Sequence, residues 1–275
     1  MPEINRLDHI NGQDVSEWDQ RSKRFGATLR SVLFKGLPDV VNEHLHHWHE
    51  KLVLSWIEEK EDLKVLDVGC GYGRLSIPII NKFPGVDITG LDVSENYVRL
   101  YKENTHHPAF VGAIENIPAE LGTFDYIICV TVLMYLPNEK LSQAVSNLLF
   151  HLKREGKLIL IEPHSSGIPF QTGFGIGAWV RNRFRQDAIH TGGRSFRMKE
   201  IASLFSNAAG KIISECRLPI TSLFFLPMAF IGKYSPKGTA RKLFRIIFFF
   251  DTLLGRVKLP SIYVAYLITR NRIKA

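Results

Sequence analysis

From Leu63 onward the chain alternates short apolar runs with longer segments whose apolar residues recur at every third and fourth position. This alternation constrains the fold more than any other feature. KVLDVG, VDITGLDV, FDYIICVTV and KLILIEP have the length and β-branched content of buried strands. RLSIPIINKF, ENYVRLYKENT and EKLSQAVSNLLFHLK, lying between them, have helical spacing. Repeated strand–helix–strand order predicts a parallel sheet with helices on both faces, a doubly wound Rossmann-like α/β fold. Sheets of that kind take ligands beyond the carboxyl ends of their strands, so functional residues are expected there.

The flanks differ in character. Up to about residue 60 the pattern is helical throughout: DVSEWDQRSKRF, ATLRSVLFKGL and DVVNEHLHHWHEKLVLSWIEE, the last two separated by Gly36-Leu37-Pro38, with Asp39 as the expected N-cap. These predict an N-terminal helical cap over residues 1–60 on a core over 61–275. After Pro163 come a Gly-rich loop, an Arg-rich stretch, a helix near MKEIASLFSNA and two strand-like runs, KIISECRLPI and SIYVAYLITR. Between those two runs lies an apolar, basic insert, about 219–260.

Charge divides the chain. Residues 1–162 carry 17 Lys and Arg against 23 Asp and Glu, whereas residues 163–275 carry 18 against 4. With 45% hydrophobic and 23% charged residues, collagen-like and wholly disordered classes are excluded. Three dispersed cysteines, Cys70, Cys129 and Cys216, do not make a disulfide framework and favour a reducing compartment. The polar opening MPEINRLDHINGQD lacks a signal-peptide core, and no apolar run reaches the roughly 18–20 residues of a spanning helix. The expectation is a cytoplasmic protein, soluble or peripheral to a membrane.

The segment Val65-Leu66-Asp67-Val68-Gly69-Cys70-Gly71-Tyr72-Gly73-Arg74 ends a strand, turns on glycines and opens a helix. Its G-x-G-x-G spacing differs from the G-x-G-x-x-G of pyrophosphate binding. Asp67, just before the glycines, would repel a pyrophosphate and attract an ammonium. The second strand ends in Gly90-Leu91-Asp92, where an acid can hold ribose hydroxyls. An NAD-dependent oxidoreductase is therefore disfavoured.

Together these motifs resemble the class I S-adenosylmethionine-dependent methyltransferases. Residues 65–74 are similar to their first motif, residues 112–118 (GAIENIP) to their adenine-contacting loop, and FDYII and GKLILIE to their fourth and fifth strands. The resemblance implies seven strands with the last antiparallel, and S-adenosylmethionine as cofactor. It places Asp67 near the amino acid end of that cofactor, Gly69, Gly71 and Gly73 against its backbone approach, and Asp92 on the ribose. Ile114 and Glu115 would border the adenine, and Val130 would join the cofactor site from the fourth strand. Ala113 stands where many members carry Asp.

The acceptor is less constrained. Removing a proton from a hydroxyl or amine needs a base near the fourth and fifth strands. His164, in Ile161-Glu162-Pro163-His164, is the candidate, with polar loop residue as its alternative. Tyr135 is a candidate pocket wall for the substrate, and His190 a further substrate contact. The run Glu43-His44-Leu45-His46-His47-Trp48-His49-Glu50 lacks a partner motif for a metal and is expected to form a polar helix face instead. No Asn/Asp-Pro-Pro-Tyr/Phe segment follows the fourth strand, so nucleic acid is not favoured despite a pI near 9.4. The expected reaction is methylation, at oxygen, of a small-molecule or lipid-linked acceptor; the alternatives are a non-catalytic cofactor-binding or scaffold protein and a nucleic-acid methyltransferase. The insert has two readings: an internal lid that buries Phe248, Phe249 and Phe250, or a surface for peripheral contact with an anionic membrane.

Overall fold

A computed structural model of the protein describes residues 15–166 and 193–271. Its seven strands are β1 (Lys64–Val68), β2 (Asp87–Asp92), β3 (Ala109–Val111), β4 (Phe124–Val130), β5 (Leu152–Pro163), β6 (Gly210–Arg217) and β7 (Tyr263–Arg270). They form one sheet in the order β3-β2-β1-β4-β5-β7-β6. Strands β1 to β5 pair in parallel, and β7 runs antiparallel to both β5 and β6, so the expected Rossmann-like sheet with an antiparallel last strand is present. The described helices are α1 (Val15–Phe25), α2 (Leu29–Val32), α3 (Asp39–Trp56), α4 (Ser76–Lys82), α5 (Glu95–Thr105), α6 (Asn138–Phe150), α7 (Met198–Asn207), α8 (Pro219–Tyr234) and α9 (Lys237–Leu254).

Every residue of β4 is buried, as a central strand covered on both faces must be. Neighbouring residues go to opposite layers: Ile128 packs with α3, α4, α8 and α9, and Ile127 packs with α6 and α7. The alternation of the sequence is thus the alternation of the core.

Three elements depart from the sequence pattern. ATLRSVLFKGL forms only the single turn of α2, because the Asn42 side chain takes both the N–H and the carbonyl of Phe34 (3.2 and 2.8 Å) in place of helical partners. Asp39 is the first residue of α3 rather than its cap, Pro38 being the cap, and its carboxylate pairs with Arg30 at 2.7 Å. Strand β3 has three residues, two of them exposed, too short and too wet to show periodicity.

The insert folds as the helical hairpin of α8 and α9. Phe225, Met228, Ala240, Phe244 and Ile247 pack inward, whereas Phe248 is half-buried and Phe249 and Phe250 are exposed. One face is a lid on the protein's own core; the other face is not.

Candidate active site

A pocket opens beyond the carboxyl ends of β1, β2 and β4. The β1–α4 turn supplies Gly69, Cys70, Gly71 and Arg74; β2 supplies Leu91 and Asp92; the segment after β3 supplies Gly112, Ile114 and Glu115. Val130 to Val132, Tyr135 and Leu136 come from the end of β4, and Trp18 and Val32 from α1 and α2. The two N-terminal helices therefore complete the wall opposite the sheet.

The turn after β1 needs its glycines for different reasons. At Gly69 (φ +69°) a Cβ would sit 2.4 Å from Val132 Cγ2, so glycine lets the loop after β4 close against the turn. At Gly73 (φ +89°) a Cβ would meet Thr105 Cγ2 at 2.6 Å, and glycine there serves the packing of α5. Gly73 does not line the pocket.

Asp92 is the best-organised polar group of the site. Its Oδ2 accepts the Gly71 N–H at 2.9 Å and its Oδ1 accepts the Ser94 N–H at 3.0 Å. Burial raises its pKa to about 6, against the pull of those two N–H groups. Ser94 in turn caps α5 by accepting the Tyr97 N–H, so the acid is fixed where strand becomes helix.

Glu115 is buried, with Oε1 held by Lys140 Nζ at 2.8 Å. Its Oε2 is buried without a hydrogen-bond partner among the described residues, and Glu115 lines the pocket. Arg74 lines the same pocket; it is buried, and its guanidinium lies 3.4 Å from His46 Nδ1. Among the described residues it forms no ion pair with a carboxylate, which leaves a buried cation available to an anionic ligand group.

The far wall is shaped by Glu162. Its carboxylate accepts the backbone N–H groups of Val132, Leu133 and Met134 at 3.0, 2.8 and 3.3 Å, and burial pushes its pKa up to about 8. It thereby holds the turn that presents Tyr135, whose ring meets Trp18 edge-on at 4.9 Å. Thr131, at the head of this turn, has φ +58°, a strained setting for a β-branched residue of the kind that gathers at binding sites.

The sequence candidates are not all brought together. Gly69, Gly71, Asp92, Ile114, Glu115, Val130 and Tyr135 line the pocket. Asp67 lies behind it, bonded to Ser76 at 2.7 Å, with Tyr101 completing the chain and burial raising its pKa to about 6. His164 is outside the lining: it is buried at an isolated bridge to Phe196, its Nδ1 meets Ser166 at 2.7 Å, and burial holds its pKa near 4. His190 falls outside the described residues.

The histidines of α3 divide: His44 and His49 are buried, His46 is half-buried and His47 is exposed. His44 bonds Thr221 at 2.7 Å, and His49 is fully buried against Tyr263 with neither ring nitrogen partnered. Among the described residues no group of three His, Cys, Asp or Glu is placed to hold a metal. Arg74, Trp18 and Thr131 were missed from sequence. Arg74 closes the glycine motif and was visible there; Trp18 and Thr131 carry no local signal.

The family described as a methyltransferase domain matches residues 65–156. A magnesium-protoporphyrin O-methyltransferase of Synechocystis is 27% identical over 154 residues, 51% of this chain and 60% of that protein. A human tRNA N(3)-cytidine methyltransferase is also 27% identical, over 156 residues, 53% of this chain and 41% of that protein. The chain spans about half the length of the curated relatives it matches. The crystal structure of magnesium protoporphyrin IX methyltransferase from Synechocystis, with bound S-adenosylhomocysteine, superposes with a TM-score of 0.53 at 18% identity, covering 74% of this chain and 86% of that one. Residues 65–156, from β1 into β5, match the methyltransferase domain family, and the sheet shares the fold of that Synechocystis methyltransferase.

Proposed function

We propose that the protein transfers a methyl group from S-adenosylmethionine to the oxygen of a small-molecule or lipid-linked acceptor. The observation that carries the cofactor reading is the set of unmet groups in one pocket. Asp92 is a buried carboxylate at the pocket wall, suited to accept from the two hydroxyls of a ribose. Glu115 Oε2 lacks a donor that an exocyclic adenine amine would supply, and so stands in for the acid absent at Ala113. Ile114, Val130 and Leu136 offer apolar walls for a base. Arg74 suits an α-carboxylate, and Asp67 behind the turn favours the neighbouring ammonium. The pocket residues from Arg74 through Asp92 to Glu115 support this placement of the cofactor, with Asp67 acting from behind the turn.

When bound, that cofactor supplies an electrophilic methyl on a sulfonium. The protein's contribution is then to exclude water and hold the acceptor in line, an effect worth up to ~7–11 kcal/mol for ideal orientation. Tyr135, with a phenol pushed up to about 12 by burial, stays protonated and orients rather than abstracts. The described lining residues include no histidine. The oxygen preference and small acceptor are supported by relatives such as the Synechocystis O-methyltransferase, and not by any group in the pocket.

Isothermal calorimetry with S-adenosylhomocysteine, followed by labelled methyl transfer into fractionated cell extract, tests both parts. Binding with label in an alkali-stable ether, or in an ester that releases labelled methanol in alkali, supports the reading. No binding by folded protein removes it; binding without any transfer leaves a cofactor-binding protein instead.

A further inference from the structure

We propose that the outer face of the α8–α9 hairpin docks the protein on an anionic lipid bilayer. Twelve of the sixteen exposed large apolar side chains among the described residues lie between residues 223 and 259. Chance scatter would not concentrate them on one element. Helix α8 is apolar around its circumference, a composition that belongs to a fully buried helix. Yet among the described residues only the side bearing Phe225 and Met228 is covered, and Leu223, Leu226 and Phe230 are left 55–66% exposed. Helix α9 repeats the arrangement. Ala240, Phe244 and Ile247 face the core, while Ile246, Phe249 and Leu253 recur at helical spacing on another side, 56–67% exposed. The apolar sector of each helix is wider than the strip the protein covers.

Charge identifies the occupant. Over residues 219–260 there are seven Lys and Arg and one acid. That acid, Asp251, is buried and taken up by the N-terminus of α8, accepting from Ile220 and Thr221 N–H at 2.8 and 3.0 Å. Arg241 is held by Glu43 of α3. The other six, Lys233, Lys237, Lys242, Arg245, Arg256 and Lys258, are exposed, and none is in an ion pair among the described residues. The hairpin's own outer surface therefore offers aromatic and aliphatic side chains ringed by cations, with no exposed carboxylate. A second copy of this chain would bring the same cations into apposition, which disfavours a dimer through this face; phospholipid headgroups of negative charge match it. Neither helix is long and apolar enough to cross a membrane, so the contact is reversible and lies in the interface plane.

Sedimentation of the full chain with phosphatidylcholine vesicles, with and without phosphatidylglycerol, tests this at low and physiological salt. Anionic vesicles should bind at least about tenfold more tightly than neutral ones, with the preference falling as salt rises. The double variant Phe249→Ser/Leu253→Ser should lower binding to anionic vesicles by about tenfold or more. Lys242→Glu/Arg245→Glu should abolish the anionic preference. All four positions are exposed and outside the pocket, so unchanged S-adenosylhomocysteine affinity certifies the fold of each variant and keeps this result separate from the methyltransferase reading. Equal recruitment by both vesicle types at low salt overturns the proposal. So does a solution dimer that Phe249→Ser/Leu253→Ser dissociates, because a second copy then covers the face.

Discussion

At Asp92 two demands meet in one carboxylate: it organises the turn through Gly71 and Ser94, and in the proposed complex it receives the ribose. Asp92→Asn keeps the volume but sets an amide N–H₂ against one of the two backbone donors. Cofactor affinity should fall by about 1–3 kcal/mol, read by calorimetry. The same group predicts a pH dependence. Its pKa in the free protein is about 6. Hydroxyl donors favour the ionised form, so the pKa in the complex lies lower, and affinity falls as pH drops below about 6. The slope is at most about tenfold per pH unit, and Asp92→Asn should flatten it. An unchanged wild-type affinity between neutral pH and pH 5 would place the ribose elsewhere. His164 gives the opposite expectation. It lies outside the pocket lining, so His164→Asn should leave both cofactor affinity and turnover near their original values. A drop of about 10²-fold in turnover with affinity intact would return the acceptor base to this residue.

Among elements, the β1–α4 turn separates backbone strain from steric need. Gly73 and Gly85 have nearly the same φ, +89° and +86°, but a Cβ at Gly73 meets Thr105 at 2.6 Å whereas one at Gly85 meets nothing within 4 Å. Both alanine variants carry the cost of left-handed backbone, about 1 kcal/mol or more. Only Gly73→Ala adds a collision with α5, so its loss in chemical denaturation should exceed that of Gly85→Ala by at least about 1 kcal/mol. Equal losses would mean that α5 yields freely. The contrast also marks what was legible in the sequence. Strands β1, β2, β4 and β5 announce themselves by long buried runs, and α5 by its full apolar stripe, since tertiary context there agrees with local pattern. The single turn of α2 does not, because Asn42, several residues away, supplies the hydrogen bonds that end it. Gly69 and Asp92 could be named because strand ends fix where ligands go, and Glu115 only through the resemblance of residues 112–118 to an adenine-contacting loop. Trp18 could not, since its place in the pocket is decided by how α1 docks on α5.

That docking is a property of the whole molecule, and it ties the N-terminal helices to cofactor binding. Asp19 of α1 accepts from the Ser94 hydroxyl and from the Asn96 N–H, and Ser22 accepts from Asn96 Nδ2 at 2.7 Å. Tyr97 donates to the Ser31 carbonyl at 2.6 Å, fastening α2 to the same helix start. Ser94 also supplies the N–H that holds Asp92, so one cluster positions the ribose acid and the wall that bears Trp18. The consequence is a measurable linkage. Saturating S-adenosylhomocysteine at 100 times its Kd should raise the free energy of unfolding by about 2.7 kcal/mol. Asp19→Ala frees α1 and withdraws Trp18 from the pocket, so affinity should fall by about tenfold. At the same ligand concentration the stabilisation then shrinks by about 1.4 kcal/mol. The exposed Asp87→Ala, far along β2 at its other end, should change neither quantity. Thermal unfolding with and without ligand reads all three proteins. If Asp19→Ala lowers the stability of the free protein but keeps the full ligand-induced gain, α1 covers the fold without helping to hold the cofactor. If the gain shrinks as expected, the N-terminal helices are part of the binding site and not an appendage to it.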